Sequence, residues 1–219
     1  MFRNVILDWS GTLCNDLPPV LDTINRILEH FGSEPVSEPV FLAEFQLPFD
    51  SFYEKRVPHA TPGELEGLFR TFFPLSKRMA EPILHAREFV VARKQEGCRL
   101  LILSAATAVH FHEQAERLGF SGLFEELYLG VRDKREVIQS ILTRHGLVPE
   151  ETCFIGDMEH DVLAARHAGI MSIAVLTGYD SASKLERVKP DVMVRDLGRL
   201  DFLFRRSRGS DEGSRTKTG

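Results

Sequence analysis

The sequence predicts an α/β protein, a doubly wound parallel sheet with a helical unit inserted after its first strand. Two observations predict the sheet. Apolar strand patterns at 4–8, 99–104, 126–130, 152–156, 171–176 and, more weakly, 191–194 alternate with helical patterns at 82–96, 107–118, 134–145, 159–168 and 181–187. Leu100-Leu101-Ile102-Leu103 and Ile173-Ala174-Val175-Leu176 are nearly continuous apolar runs, as strands buried on both faces require. The third observation is a break in this rhythm. From Asp16 to Glu81 no convincing strand occurs, and Phe, Pro and Glu are frequent.

In chain order, Asn4-Val5-Ile6-Leu7 runs into Asp8, and Trp9-Ser10-Gly11-Thr12 turns at once. Four helical stretches follow, at 18–31, 38–46, 50–56 and 62–73. Pro18-Pro19 and Thr61-Pro62-Gly63-Glu64 suit helix starts with proline in the first turn. A block inserted here stands over the carboxyl ends of the strands and is a candidate lid. Its Phe41, Phe45, Phe49, Phe52, Phe69, Phe72 and Phe73 are expected to form mainly its own core, with a few facing a pocket. Gly97, Gly119, Gly146 and Gly169 follow helical patterns where a left-handed cap is needed. The expected division is a core of 1–15 and 82–204, a helical cap of 16–81 and a disordered tail of 205–219.

The chain has 219 residues, 43% hydrophobic and 27% charged, the composition of a globular protein rather than a disordered one. The tail carries five basic and two acidic residues, so the formal charge of −5 leaves the body near −8. An acidic body argues against a nucleic-acid partner. No apolar stretch has the length of a membrane span, and the N-terminus lacks a signal-peptide layout. Cys14, Cys98 and Cys153 are odd in number and far apart, which suits a reducing compartment and a cytoplasmic location. Cys14 reads as buried filler rather than as a reactive thiol.

Four features carry chemistry, in order, each at a strand end or helix start. Asp8 is placed to attack phosphorus, and its second oxygen to bind a magnesium ion. Ser104 ends the run Leu100–Leu103, where its hydroxyl and the N–H of Ala105 can hold a phosphoryl oxygen. Lys134 opens a helix as a point charge for the nucleophile and phosphate, with Arg132 and Arg135 as competitors for that task. Asp157 ends the apolar run Phe154-Ile155-Gly156 as a hard metal ligand. Asp161, four residues on, faces the same cleft from the next helix as a supporting or water-mediated ligand. Taken singly, each has a plainer reading: helix caps for Asp8 and Ser104 (with Thr107 a rival cap), surface charge for Lys134, a helix-dipole pair for Asp157 and Asp161. All four loops nevertheless open at one edge of a parallel sheet.

These residues resemble the motifs of the haloacid dehalogenase-like hydrolase superfamily: Asp8-Trp9-Ser10-Gly11-Thr12, Ser104, Lys134, and Gly156-Asp157 with Asp161. The run Asp161-Val162-Leu163-Ala164-Ala165-Arg166-His167-Ala168-Gly169 resembles the phosphoglycolate phosphatase-like branch. The resemblance covers residues 1 to about 204. It implies a Rossmann-like core, a helical cap, Mg²⁺, and hydrolysis of a small phosphorylated metabolite, phosphoglycolate-like, through an aspartyl-phosphate. It also implies a metal contact from the Ser10 backbone carbonyl. Thr12 is expected to orient Asp8 or its loop, and Trp9 to pack over the phosphate site or within the core. A monomer or homodimer is expected.

One residue departs from the pattern. Two positions after the nucleophile, phosphatases of this superfamily normally carry a second Asp that protonates the leaving group; here it is Ser10. A hydroxyl is too weak an acid for that role, and losing a general acid costs ~10²–10⁴ in rate. Three readings follow. One is a slow phosphatase, or one selecting good leaving groups, with His59, Glu159 or His160 as replacement donors. Another is a phosphonoacetaldehyde hydrolase-like activity, which resembles Asp8-Trp9-Ser10 but needs a cap lysine, for which Lys55 and Lys77 are the nearby residues. The third is a protein that binds a phosphorylated ligand without turnover.

Overall fold

The computed structural model describes residues 2–204; the expected tail at 205–219 lies outside the described residues. Six strands form one sheet: β1 (Asn4–Leu7), β4 (Arg99–Leu103), β5 (Glu126–Tyr128), β6 (Thr152–Gly156), β7 (Met171–Val175) and β8 (Val192–Val194). Their order is β5-β4-β1-β6-β7-β8, and every pairing is parallel. The chain builds outward from β1 in one direction and then returns to build in the other. Such a reversal leaves a crevice at the carboxyl ends of the central strands.

Side chains alternate across the sheet. Val5, Leu7, Leu100 and Ile102 enter one apolar cluster with α5 (Ala86–Gln95) and α6 (Ala108–Arg117). Ile6, Leu101, Leu103 and Phe154 enter the other with α7 (Lys134–His145) and α8 (Glu159–His167). Burial on both faces explains the unbroken apolar runs. Short helices α9 (Ala182–Val188) and α10 (Asp201–Phe204) complete the layers. The four expected helix-end glycines all have positive φ, Gly146 closing α7 at +59°.

Four helices stand between β1 and β4: α1 (Leu17–His30), α2 (Glu38–Glu44), α3 (Asp50–Glu54) and α4 (Pro62–Phe72). Thr61 caps α4 reciprocally with Glu64. Phe41 and Phe52 are buried among Ile24, Ile27 and Leu28, and Met158 and Tyr179 from the sheet side join the same cluster. Phe73 instead stacks with Phe69, their ring centroids 5.4 Å apart.

One expected element is corrected. The helix expected from 82 starts at Ala86, because Glu81–Pro82 forms a strand, β3, antiparallel to β2 (Cys14–Asn15). This ribbon joins the two points where the chain passes between the sheet and the four helices.

Candidate active site

The turn after β1 is built around Gly11, whose φ of +74° is the left-handed conformation that glycine adopts without steric cost. Asp8 extends β1 by donating its N–H to the Ile155 carbonyl at 2.9 Å, and its side chain is buried. Lys134, wholly buried at the start of α7, places Nζ 3.0 Å from Asp8 Oδ1 and 2.5 Å from Asp161 Oδ1. The Asp8 contact is an ion pair between buried side chains. Asp161 Oδ2 accepts the Met158 N–H at 3.0 Å. Asp157 accepts from Thr12 Oγ1 and from the Tyr179 N–H, both at 2.8 Å. Residues Asp8, Lys134, Asp157 and Asp161 therefore meet in one buried cluster.

Two glycines give Asp157 its space. A Cβ on Gly178 would lie 2.0 Å from Asp157 Oδ2, and one on Gly11 would lie 2.3 Å from it. The donor set suits a hard divalent cation. Asp8, Asp157 and Asp161 can bring carboxylate oxygens within 4.8 Å of one another. Against one ammonium, three ionised carboxylates leave a surplus of two negative charges. Burial raises the pKa of both Asp8 and Asp157 above the usual carboxylate range, and a cation would hold them ionised. For Lys134 burial works the other way, but the Asp161 and Asp8 charges prevail and hold it protonated.

Ser104 is buried, and its Oγ accepts the Ala106 N–H at 3.3 Å. Thr107, not Ser104, caps α6 by accepting the His110 N–H. Arg132 and Arg135 are occupied elsewhere: Arg132 pairs with Asp50 and Glu66 on the helices above, and Arg135 with Asp133. Lys134 alone of the three is buried.

One expected role is corrected. The Trp9 side chain does not reach the phosphate site. It is fully buried on the far side, packs edge-on against Phe111 and Phe120, and donates Nε1–H to Gln114 at 2.7 Å. Of the two tasks expected of Thr12, orienting Asp8 or its loop, its bond to Asp157 fits the second, since it ties the loop after β1 to the end of β6. Cys14 is buried filler whose thiol pKa is driven up by desolvation.

The cluster underlies a cavity of about 480 Å³. Asp8, Ser10, Asp16, Ser104 and Ala105 line its floor, and Phe45, Phe49, Tyr53, Phe69 and Phe73 its cover. His59, Glu159, His160, Lys55 and Lys77 do not line it, and no lysine among the described residues does. A Schiff-base lysine is thus missing from the cavity wall.

Asp16 was not anticipated. Its place before Leu17-Pro18-Pro19 reads as a helix cap, yet its side chain makes no cap bond. It accepts instead from Ser10 Oγ at 2.6 Å and from the Tyr179 hydroxyl at 3.0 Å. Burial pushes its pKa up to about 6, against the two hydrogen bonds that lower it.

A parallel sheet with three carboxylates and a lysine at its carboxyl edge, under a helical cover, defines a class of hydrolase with an aspartate at the centre. The family model for haloacid dehalogenase-like hydrolases matches residues 5–175, and the chain belongs to that family. It is 25% identical over 195 residues to a phosphoglycolate phosphatase of Synechococcus elongatus, covering 85% of this chain and 90% of that protein. It is 24% identical to the pyrophosphatase PpaX of Bacillus mycoides, covering 94% and 99%. The fold matches the crystal structure of a predicted phosphatase from Clostridium acetobutylicum with a TM-score of 0.82, at 17% identity, covering 93% of this chain and 98% of that one. No helix among the described residues is long and apolar enough to cross a membrane.

Proposed function

We propose that the protein is a Mg²⁺-dependent phosphomonoesterase that works through an aspartyl-phosphate on Asp8. The observation that carries this reading is the Asp8 carboxylate on the cavity floor, beside a buried lysine and two further carboxylates. Asp8, Asp157, the Ser10 carbonyl and, in support, Asp161 would hold the cation. When bound, it supplies positive charge for the phosphoryl oxygens. Asp8 attacks phosphorus through one carboxylate oxygen, and the leaving oxygen departs with the bonding electron pair. Lys134 offsets the negative charge that Asp8 and the phosphoryl group bring together. The Ser104 hydroxyl and the Ala105 N–H orient a phosphoryl oxygen. Thr12 and Tyr179 fix Asp157, and Asp161 fixes Lys134.

The relatives' names, phosphoglycolate phosphatase and pyrophosphatase, differ in leaving group. They support phosphoryl transfer and leave the ester open. The test follows phosphate release from a panel of phosphomonoesters with Mg²⁺ and with EDTA. Metal-dependent release is expected. A panel without release, in a protein that still binds vanadate or phosphate, would instead favour the reading without turnover, which Ser10 at the acid's position motivates.

A further inference from the structure

Building on the phosphomonoesterase reading, we infer that Lys184 is a positioning residue for that reaction. Its ammonium, carried on α9, seats the carboxyl end of α2 against the sheet edge and so holds the Phe45 wall of the cavity over Asp8. Three observations converge on it.

The first is the contact itself. The last carbonyls of a helix have no partner within it. Lys184 Nζ donates to the Leu42 carbonyl at 3.3 Å and to the Phe45 carbonyl at 3.1 Å. Leu42 lies in the last turn of α2, and Phe45 is the residue on which the helix ends. A cation at this place also meets the negative end of the helix dipole. Phe45 lines the cavity together with Leu47 and Phe49. A shift of the α2 end therefore moves a wall of the cavity.

The second is the anchor of the ammonium. Asp180 is buried and pairs with Lys184 through Oδ1 at 2.8 Å, while its Oδ2 accepts the Glu159 N–H at 2.7 Å. Glu159 opens α8 and stands midway between Asp157 and Asp161. Tyr179, next to Asp180, holds Asp157 with its N–H. The Tyr179 ring lies 5.7 Å from that of Phe45 and 6.2 Å from that of Phe41, centroid to centroid. The short segment 179–184 thus grips the floor of the cavity at one end and its cover at the other.

The third is the contrast with the opposite side. In the strand order β5-β4-β1-β6-β7-β8, Arg132 reaches the cover from the loop after β5, and Lys184 from the helix after β7. The two cations therefore flank Asp8 at the end of β1. The Arg132 side chain is 42% exposed, that of Lys184 18%. Exposed ion pairs hold weakly. A shielded ammonium holds more firmly, because its loss strands two carbonyls and the Asp180 carboxylate. The α2 end is the fixed edge of the cover. Freeing it should weaken the hold on the ester and spare the chemistry of the floor.

The test uses the full chain with Mg²⁺ and 4-nitrophenyl phosphate, with inorganic phosphate as a competitive inhibitor. Lys184→Met alone leaves the Asp180 charge stranded. The double exchange Lys184→Met with Asp180→Asn removes that charge, and the new amide oxygen can still accept the Glu159 N–H. Both variants should raise KM by ~10-fold. Both should leave kcat unchanged, and likewise the inhibition constant of phosphate, a ligand of the floor alone. Hydrogen exchange should quicken by ~10-fold at the amides of α2 and Phe45 and stay as it was in β1 and β6. Lys184→Arg keeps the charge and the donors and should restore both KM and protection. Unmoved KM and unmoved exchange would overturn the inference and leave the phosphomonoesterase reading standing. So would a fall in kcat and phosphate affinity that Lys184→Arg does not rescue, the mark of a general structural loss. No phosphate release from any ester by the unaltered chain would remove both.

Discussion

The floor and the cover of the cavity are built on opposite principles. The floor is polar and over-determined: Asp157 is gripped by Thr12 and Tyr179, Asp161 by Lys134 and Met158, and every one of these groups is buried. The cover is apolar, and its aromatic rings are held by packing. Directional bonds on the floor fix reacting atoms to within tenths of an ångström. Packing on the cover fixes a shape. On the proposed function, the reaction is thus a property of the sheet edge, and substrate choice a property of the inserted helices.

The largest effect that would break this contrast is expected on the floor. Asp8→Asn should lower kcat by ~10⁴-fold or more in a phosphate-release assay while the fold persists; appreciable remaining turnover would refute Asp8 as nucleophile. Lys134→Met leaves Asp8 and Asp161 without their buried counter-charge. Urea unfolding of the metal-free protein should show a loss of about 3–5 kcal/mol, and added Mg²⁺ should recover part of it. Gly178→Ala forces a Cβ onto Asp157, and a displacement of about 1 Å at that carboxylate should cost ~10²-fold in kcat.

On the cover side the expected effects are smaller. Arg132 reaches from the sheet edge to Asp50 and Glu66 with its side chain 42% exposed, so Arg132→Ala should cost only about 0.2–1 kcal/mol. Its main signature should be a raised KM. Asp191, remote from both regions, sharpens the comparison as a control. Hydrogen bonds from Ser172 Oγ and N–H lower its pKa below the ordinary 3.8. Its stabilisation is therefore present above that value and is lost as pH falls through the lower folded value. Asp191→Asn should lower Tm slightly at neutral pH, by about 0.5 kcal/mol in stability. The difference should close in acid, with kcat unchanged throughout.

Much of this arrangement was legible in the residues. Strand positions were readable because double burial leaves long apolar runs, and Lys134 because it opens a helix beside a sheet edge. Trp9 was readable in principle: one residue from Asp8, it points to the opposite side. What stayed hidden is non-local. The pairing of Glu81–Pro82 with Cys14–Asn15 has no local pattern, being made by partners more than sixty residues apart in the chain. Asp16 resembled a helix cap, and only the return of the chain at Tyr179, 163 residues later, reveals its partner.

The ribbon of β2 and β3 has a consequence of its own. Since Asn15 and Glu81 are paired neighbours, the whole helical segment hangs from a single closed stem. A cassette of different helices spliced between those two residues would meet the sheet at the same anchor. Evolution, or a laboratory graft, can in this way retune what is admitted without rebuilding the machinery beneath.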